Sequence, residues 1–173
     1  MFPKPRIIIS KCLGFDTCRY NGQTIPDEFI QILSDHVEFI TICQEVEIDL
    51  GTPRAPLRIV EKNGKLHFYQ PETDLFFTDK MISFTRNYLS ALKDVDGFIL
   101  KNRSPSCGPA DVKIYQGFDK SAGAYRGSGF FGGEILERFK NAAIEDEGRL
   151  KNFDIREHFL IKLYTLARFR MAK

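Results

Sequence analysis

The sequence predicts an α/β protein with a mostly parallel, Rossmann-like sheet, flanking helices and an added β-hairpin. Three short apolar runs, 6–11, 37–43 and 97–101, have the character of buried strands. Apolar residues at helical spacing near 26–35 separate the first two runs, as in a βαβ unit with parallel strands. Asn-Gly at 63–64, between two β-rich segments, predicts the hairpin.

The remaining elements follow from apolar spacing and turn residues. Residues 74–92 carry an apolar stripe at helical spacing, so we expect a long helix there, capped by Thr73 or Asp74. Further predictions are a polar loop at 45–56, a strand at 112–115, a flexible Gly- and Ser-rich loop at 121–129, a helix near 132–141 and a strand near 142–145.

Composition narrows the class of protein. The chain of 173 residues has 43% hydrophobic and 28% charged residues, which suits one soluble domain or one domain plus a fragment. Its net charge of +2 gives no electrostatic footprint for a nucleic-acid polymer. No apolar run is long enough for a membrane span, and residues 1–5 lead directly into a strand, so we expect a cytoplasmic protein without a signal peptide.

Three cysteines follow the carboxyl ends of the three apolar strands. Cys12, Cys43 and Cys107 each stand one residue or a short loop beyond a strand, at the edge where open α/β sheets bind ligands. A single cysteine in such a place is usually a small buried hydrophobe, but three are unusual. In a reducing compartment, cysteines favour metal binding or catalysis over disulfides.

Several kinds of metal centre are consistent with thiolate ligands. Such ligands select iron–sulfur clusters, zinc or copper(I), and three of them without a histidine are incomplete for a structural zinc site. A cubane cluster held by three cysteines would keep one iron without a protein ligand, free to act as a Lewis acid. Cys18 is the candidate fourth ligand, and its participation would favour a structural or electron-transferring cluster.

Polar residues near these cysteines are candidates for catalysis and substrate binding. Glu45 stands two residues after Cys43, and burial at the pocket would suit it to proton transfer. Ser104 and Ser106 could bind substrate or orient a water, and Arg103 could bind a carbonyl or anionic group. Taken alone, these patterns are more typical of a solvated carboxylate, of serines that satisfy a turn and of a solvated arginine.

Several segments together resemble the 2-thiouracil desulfurase family. The resemblance covers about residues 5–147. It is carried by the segments 8–14, 18–22, 43–46, 51–54 and 100–108. It implies a [4Fe-4S] cluster held by Cys12, Cys43 and Cys107, with an open fourth iron for the sulfur of the substrate.

The resemblance also implies roles for the polar residues. Glu45 matches the family's acidic residue and Ser104 matches its serine, so both are expected to be catalytic. Apart from the resemblance, we expect Ser106 and Arg103 in the last cysteine loop to bind substrate. Family members vary at the position of Cys18, which is therefore expected not to be a ligand. This chain departs from the family at Gln44, where proline is common.

The activity implied by the resemblance is non-redox cleavage of a C–S bond in a thiolated nucleobase or similar small thioamide, with release of sulfide. The alternative is a non-catalytic metal-binding or redox-sensing module that engages all four cysteines. A zinc nucleobase deaminase is disfavoured because its H-x-E and C-x-x-C spacings are missing. A purely structural domain is the remaining alternative.

The end of the chain changes in character. We predict a cluster-binding domain at 1–147, followed at 148–173 by a connector and an amphipathic helix that resembles the start of a second domain in longer relatives. The helix is expected at 154–171, with an apolar face that includes Phe159 and Leu163. Such a face is expected to be buried by a second domain or a second copy of the chain rather than by its own core.

Overall fold

The computed structural model describes residues 3–119 and 121–172. Its strands are β1 (Arg6–Ser10), β2 (Glu38–Ile42), β3 (Arg58–Lys62), β4 (Lys65–Gln70), β5 (Leu75–Phe76), β6 (Gly97–Leu100), β7 (Val112–Tyr115), β8 (Ala124–Gly127) and β9 (Ala143–Asp146). Its α-helices are α1 (Glu28–Leu33), α2 (Gln44–Glu47), α3 (Thr78–Ala91), α4 (Phe130–Arg138) and α5 (Phe153–Met171), and a 3₁₀ turn at Arg149–Lys151 precedes α5. No helix within the described ranges is long and apolar enough to cross a membrane.

The strands form two sheets. The first has four strands in the order β2-β1-β6-β9, and all its pairs are parallel. The second has five strands in the order β5-β4-β3-β7-β8 and is antiparallel except for the β3–β7 pair. The predicted α/β class with a parallel sheet is therefore confirmed, and the predicted hairpin is β3–β4 within the second sheet.

Helices cover both faces of the parallel sheet because successive side chains of a strand point to opposite faces. On one face, Ile7 and Ile9 of β1 lie in a core with α1 and α5. On the other face, Ile8 of β1 and Phe98 of β6 lie in a core with α3 and α4. A third core, around Met81 of α3, fills the space beside the second sheet. Continuous burial of β1 and β6 explains their unbroken apolar runs.

The structure differs from the predictions at helix α2 and at the start of helix α3. Residues 45–47, predicted as the start of a polar loop, belong instead to helix α2, which begins at Gln44 directly after Cys43. Asp74 does not cap a helix; its φ of +55° lies outside the helical range, and β5 follows it. Helix α3 therefore begins only at Thr78.

The segment predicted as a flexible loop at 121–129 contains a strand. Residues 124–127 form β8 because they pair antiparallel with β7, the preceding strand, and the Gly- and Ser-rich composition around them does not reveal this pairing. Helix α4 then begins at Phe130, two residues before the predicted start, and ends at Arg138. Helix α1 starts at Glu28 behind Asp27, whose carboxylate accepts a hydrogen bond from the N–H of Ile30 at 3.1 Å.

The terminal helix α5 packs on the parallel sheet of its own chain. Phe159 and Leu163 are buried in the core that contains Ile7, and Arg170 forms a 3.0 Å ion pair with the buried Asp96. The expectation that another body buries this face is therefore wrong. Gly97 makes the contact possible, since a Cβ there would lie 2.8 Å from Cδ1 of Leu163. The division at 147 and 148, and any second domain or second copy, stay predictions.

Substitution of a buried residue on α5 tests its place in the core. Leu163→Ala should lower the free energy of unfolding by about 2–5 kcal/mol, because it leaves a cavity between helix and sheet. Ile161→Ala is the matched control, since Ile161 lies on the same helix at 62% exposure and should change stability by no more than about 0.5 kcal/mol. Urea denaturation under reducing conditions measures both, and equal small effects would show that α5 is not part of the core.

Candidate active site and metal centre

The ends of β1, β2 and β6 border a cavity of about 410 Å³. The three strands are neighbours in the parallel sheet, so their carboxyl ends lie at one edge. All seven residues predicted from the sequence line this cavity: Cys12, Cys43, Glu45, Arg103, Ser104, Ser106 and Cys107. The structure thus brings the predicted site residues together, whereas their roles stay proposals.

The loop that carries Cys107 is held by helix α4. The N–H groups of Gly129 and Phe131 donate to the carbonyl oxygens of Gly108 and Ser106, each at 2.8 Å. A Cβ at Gly132 would lie 2.6 Å from the carbonyl oxygen of Cys107, so only glycine allows the helix to approach this closely. The glycines that begin α4 therefore fix the position of the loop.

Ser10 links the end of β1 to Cys107. Its hydroxyl donates to Sγ of Cys107 at 3.3 Å and accepts from the backbone N–H of Lys101 at 2.9 Å. Lys101 also forms an ion pair with Glu147 at 2.5 Å, which ties the Cys107 loop to the residue after β9. Sequence reasoning did not assign Ser10 or Lys101 to the site, because only their place at strand ends distinguishes them from other polar residues.

The pKa values of the four thiols are shifted in different directions. Burial, with smaller contributions from Cys107 and Cys43, raises the pKa of Cys12 to about 12, and burial raises the pKa of Cys107 as well. Contact between the thiols of Cys18 and Cys43 raises the pKa of Cys43 and lowers that of Cys18. Metal binding at Cys12, Cys43 and Cys107 must therefore displace protons from the thiols of the metal-free chain.

Glu45 is a buried carboxylate with charged and neutral partners. It lies in α2 at 8% exposure. Its Oε2 accepts from Nε of Arg54 at 2.6 Å and forms an ion pair with Nη2 of the same guanidinium at 2.6 Å. Its Oε1 accepts from the hydroxyl of Ser106 at 2.8 Å. The more typical interpretation of this residue, a solvated loop glutamate, is thus wrong for its environment.

The two serines continue this hydrogen-bond chain. The hydroxyls of Ser104 and Ser106 lie 2.9 Å apart, and since Ser106 donates to Glu45, Ser104 donates to Ser106. The backbone N–H of Cys107 donates to Ser104 at 3.3 Å. The chain from Ser104 through Ser106 to Glu45 connects the Cys107 loop to the carboxylate.

Two arginines at the cavity have opposite environments. The guanidinium of Arg54 is 7% exposed and also donates to the carbonyl oxygen of Cys18 at 3.0 Å. Arg103 has a side chain that is 70% exposed and pairs with Asp111 at 2.9 Å. The sequence signal for Arg54 is its place in the segment 51–54, which the family resemblance includes.

The cysteines at the cavity are the candidate metal ligands of this site. Within 3–119 and 121–172, no group of three or more His, Cys, Asp or Glu side chains is arranged to hold one. Cys12, Cys43 and Cys107 instead border a cavity of appreciable volume, with Cys18 against Cys43. Thiols spaced around a cavity suit a polynuclear iron–sulfur cluster, which is larger than a single ion and selects thiolate ligands.

Removal of one partner of the buried ion pair tests the electrostatics of the site. Arg54→Met should lower the free energy of unfolding by about 3–5 kcal/mol, because Glu45 would stay buried without its countercharge. The double variant Arg54→Met with Glu45→Gln should recover much of that loss. Arg103→Met, which breaks an exposed pair, is the control and should cost no more than about 1 kcal/mol. Urea denaturation of the reduced protein measures all three, and equal effects of the two arginine variants would contradict this account.

Comparisons with known proteins agree with the fold. The family profile described as 2-thiouracil desulfurase matches residues 7–147. An uncharacterised protein of Bacillus subtilis (strain 168), YbbK, is 31% identical over 116 residues, which cover 59% of this chain and 72% of that protein. The solved structure of a [4Fe-4S]-dependent thiouracil desulfidase, TudS, has 26% sequence identity and a TM-score of 0.67, over 90% of this chain and 99% of that one. The chain belongs to the 2-thiouracil desulfurase family.

Proposed function

We propose that this protein is a [4Fe-4S]-dependent enzyme that desulfurates 2-thiouracil or a similar small thioamide without a redox step. The observation that carries the proposal is a single cavity of about 410 Å³ bordered by three strand-end thiols and a buried carboxylate. The family of the chain and the thiouracil desulfidase activity of its structural relative TudS support the same reaction. A small heterocycle is the proposed substrate, with no nucleic-acid polymer as partner.

Cys12, Cys43 and Cys107 are the proposed cluster ligands. They lie in three different loops at one sheet edge, which leaves the rest of the cavity for substrate. When bound, a cluster with three protein ligands supplies one open iron as a Lewis acid for the sulfur of the substrate. Ser10 would then hold the sulfur of Cys107 through its hydroxyl.

Glu45 is the proposed acid–base residue. Arg54 fixes one of its oxygens and Ser106 the other, so the carboxylate has a defined orientation at the cavity. In that position it would accept a proton from the water that attacks the thiocarbonyl carbon. The overall reaction consumes one water per thiocarbonyl, and its products are the carbonyl compound and one hydrogen sulfide.

Ser104, Ser106 and Arg103 are proposed to position the substrate. Ser104 begins the hydrogen-bond chain that ends at Glu45, so it is placed to hold a substrate polar group or the attacking water. Arg103 would have to exchange Asp111 for the substrate, which costs little because that ion pair is exposed. We also propose a cytoplasmic location, since all four cysteines are free thiols.

The position of Cys18 favours one alternative function. Cys18 is buried, borders the same cavity and contacts Cys43, so a module in which all four cysteines engage the metal is the second candidate. Such a module would bind metal or sense redox state without catalysis. The two functions differ in whether Cys18 is required for the cluster.

Anaerobic reconstitution with iron and sulfide tests the proposed function. The reconstituted protein should show the broad visible absorption of a [4Fe-4S] cluster and convert 2-thiouracil to uracil. Conversion is followed by the loss of thiouracil absorbance and by sulfide release. A protein with an intact cluster that desulfurates no member of a panel of thiolated bases would contradict the proposal.

Replacement of the proposed acid–base residue should separate chemistry from cluster binding. Glu45→Gln should keep the iron content and lower turnover by about 10²- to 10⁴-fold, the usual contribution of a general acid or base. Steady-state kinetics with iron analysis on the same sample measures both. Activity near that of the wild type, with the cluster intact, would leave Glu45 a structural partner of Arg54.

Cysteine substitutions distinguish the enzyme from the metal-binding module. Cys18→Ala should keep iron and acid-labile sulfide near wild-type amounts, whereas Cys107→Ala should lose most of both, because only the second removes a proposed ligand. The two variants remove the same chemical group from buried positions and are matched controls for each other. Loss of the cluster in Cys18→Ala would favour the four-cysteine module.

A further inference from the structure

Gln44 carries a buried amide without a hydrogen-bond partner. The residue is 2% exposed, and its Nε2 is one of two buried side-chain polar atoms in the described ranges that lack a partner, the other being Oγ1 of Thr85. A buried donor that makes no hydrogen bond costs about 1–3 kcal/mol. Such an atom in a folded protein therefore requires a physical explanation.

The helix does not need this side chain. Gln44 is the first residue of α2, directly after the capping position at Cys43. The first helical position tolerates many residues and favours proline, which is the common residue here in the family. An apolar residue or a proline at position 44 would thus support the helix and would leave no amide unpaired. The helix itself therefore gives no reason for an amide at this position.

The hydrogen-bond donors beside Glu45 already have acceptors, whereas the side-chain NH₂ group of Gln44 has none. Arg54 donates to Glu45 through Nε and forms an ion pair with it through Nη2. Its Nη1 donates to the carbonyl oxygens of Cys18 and Gly51. Ser106 donates to Glu45. Gln44 lines the same cavity as these residues. Its terminal torsion is soft, so a small rotation can turn the NH₂ group toward a ligand in the cavity.

We infer that Gln44 is a specificity residue whose side-chain NH₂ binds a carbonyl oxygen of the substrate, namely the carbonyl that a thiouracil-type ring keeps in addition to its thiocarbonyl. The inference rests on the proposed function for its ligand class. An amide NH₂ is a donor, and a ring carbonyl is the acceptor that matches it. When a thiolated ring without a carbonyl is bound, this donor stays unpaired and adds nothing to the binding affinity.

Calorimetric binding to the anaerobically reconstituted protein tests the inference independently of turnover. The probes are uracil and pyrimidin-2-one, which differ in the second carbonyl. Gln44→Met keeps an unbranched side chain of similar size and removes the donor. It should weaken uracil binding about fivefold to tenfold and change pyrimidin-2-one binding less than twofold. Gln44→Met should likewise raise KM for 2-thiouracil, which keeps a carbonyl, more than KM for pyrimidine-2-thione, which has none.

Thr85→Val is the matched control. It removes the other unpartnered polar atom from a buried position on α3, outside the residues that line the cavity. Both variants should unfold at equal or higher urea concentration than the wild type, because each removes a buried group without a partner. Only Gln44→Met should weaken uracil binding.

The outcomes separate the inference from the proposed function. Wild-type protein that binds no uracil, an unchanged uracil affinity in Gln44→Met, or an equal loss for both probes would overturn the specificity role. Absence of turnover in the wild type would instead contradict the desulfurase function. In that case the effect of Gln44→Met on the affinities for uracil and pyrimidin-2-one would still decide whether Gln44 binds the carbonyl.

Discussion

The parallel pairing of β1 with β2 and β6 is the constraint on which the site depends. Ser10 is in register with Ile42, and Ile9 with Ile99, so the three strands end at the same level of the sheet. Their loops deliver the cysteines to one cavity. Helices on both faces bury the apolar residues of β1 and β6, so the edge at which the three strands end is supported by the two cores of the parallel sheet.

A second constraint is electrostatic. Glu45 is taken out of water at the cavity, and Arg54 and Ser106 satisfy its two oxygens. A carboxylate in such a place is costly without its partners but well oriented with them. The short helix α2 sets this arrangement, since it follows Cys43 without a gap and carries Glu45 in its first turn. The proposed metal ligand and the proposed acid–base residue therefore belong to one rigid turn.

Local patterns predicted much of the fold and the residues of the site, but not its contacts. The apolar runs of β1 and β6 and the Asn-Gly turn of the hairpin are local signals, and the structure confirms them. The strand at 124–127 forms by pairing with β7, and α5 packs on strands that lie far from it in the sequence, so local composition revealed neither. The cysteines were found from their places after strands. The buried state of Arg54 and the contact of Ser10 with Cys107 arise only when separate loops meet.

The central claim is that a thiocarbonyl is hydrolysed without any net redox change. The most direct measurement is turnover of 2-thiouracil by the reconstituted protein in H₂¹⁸O, without an added electron donor. The account predicts one ¹⁸O atom in each uracil, read by mass spectrometry, and one sulfide released per uracil formed. Turnover that requires a reductant, or uracil that carries no ¹⁸O, would contradict it.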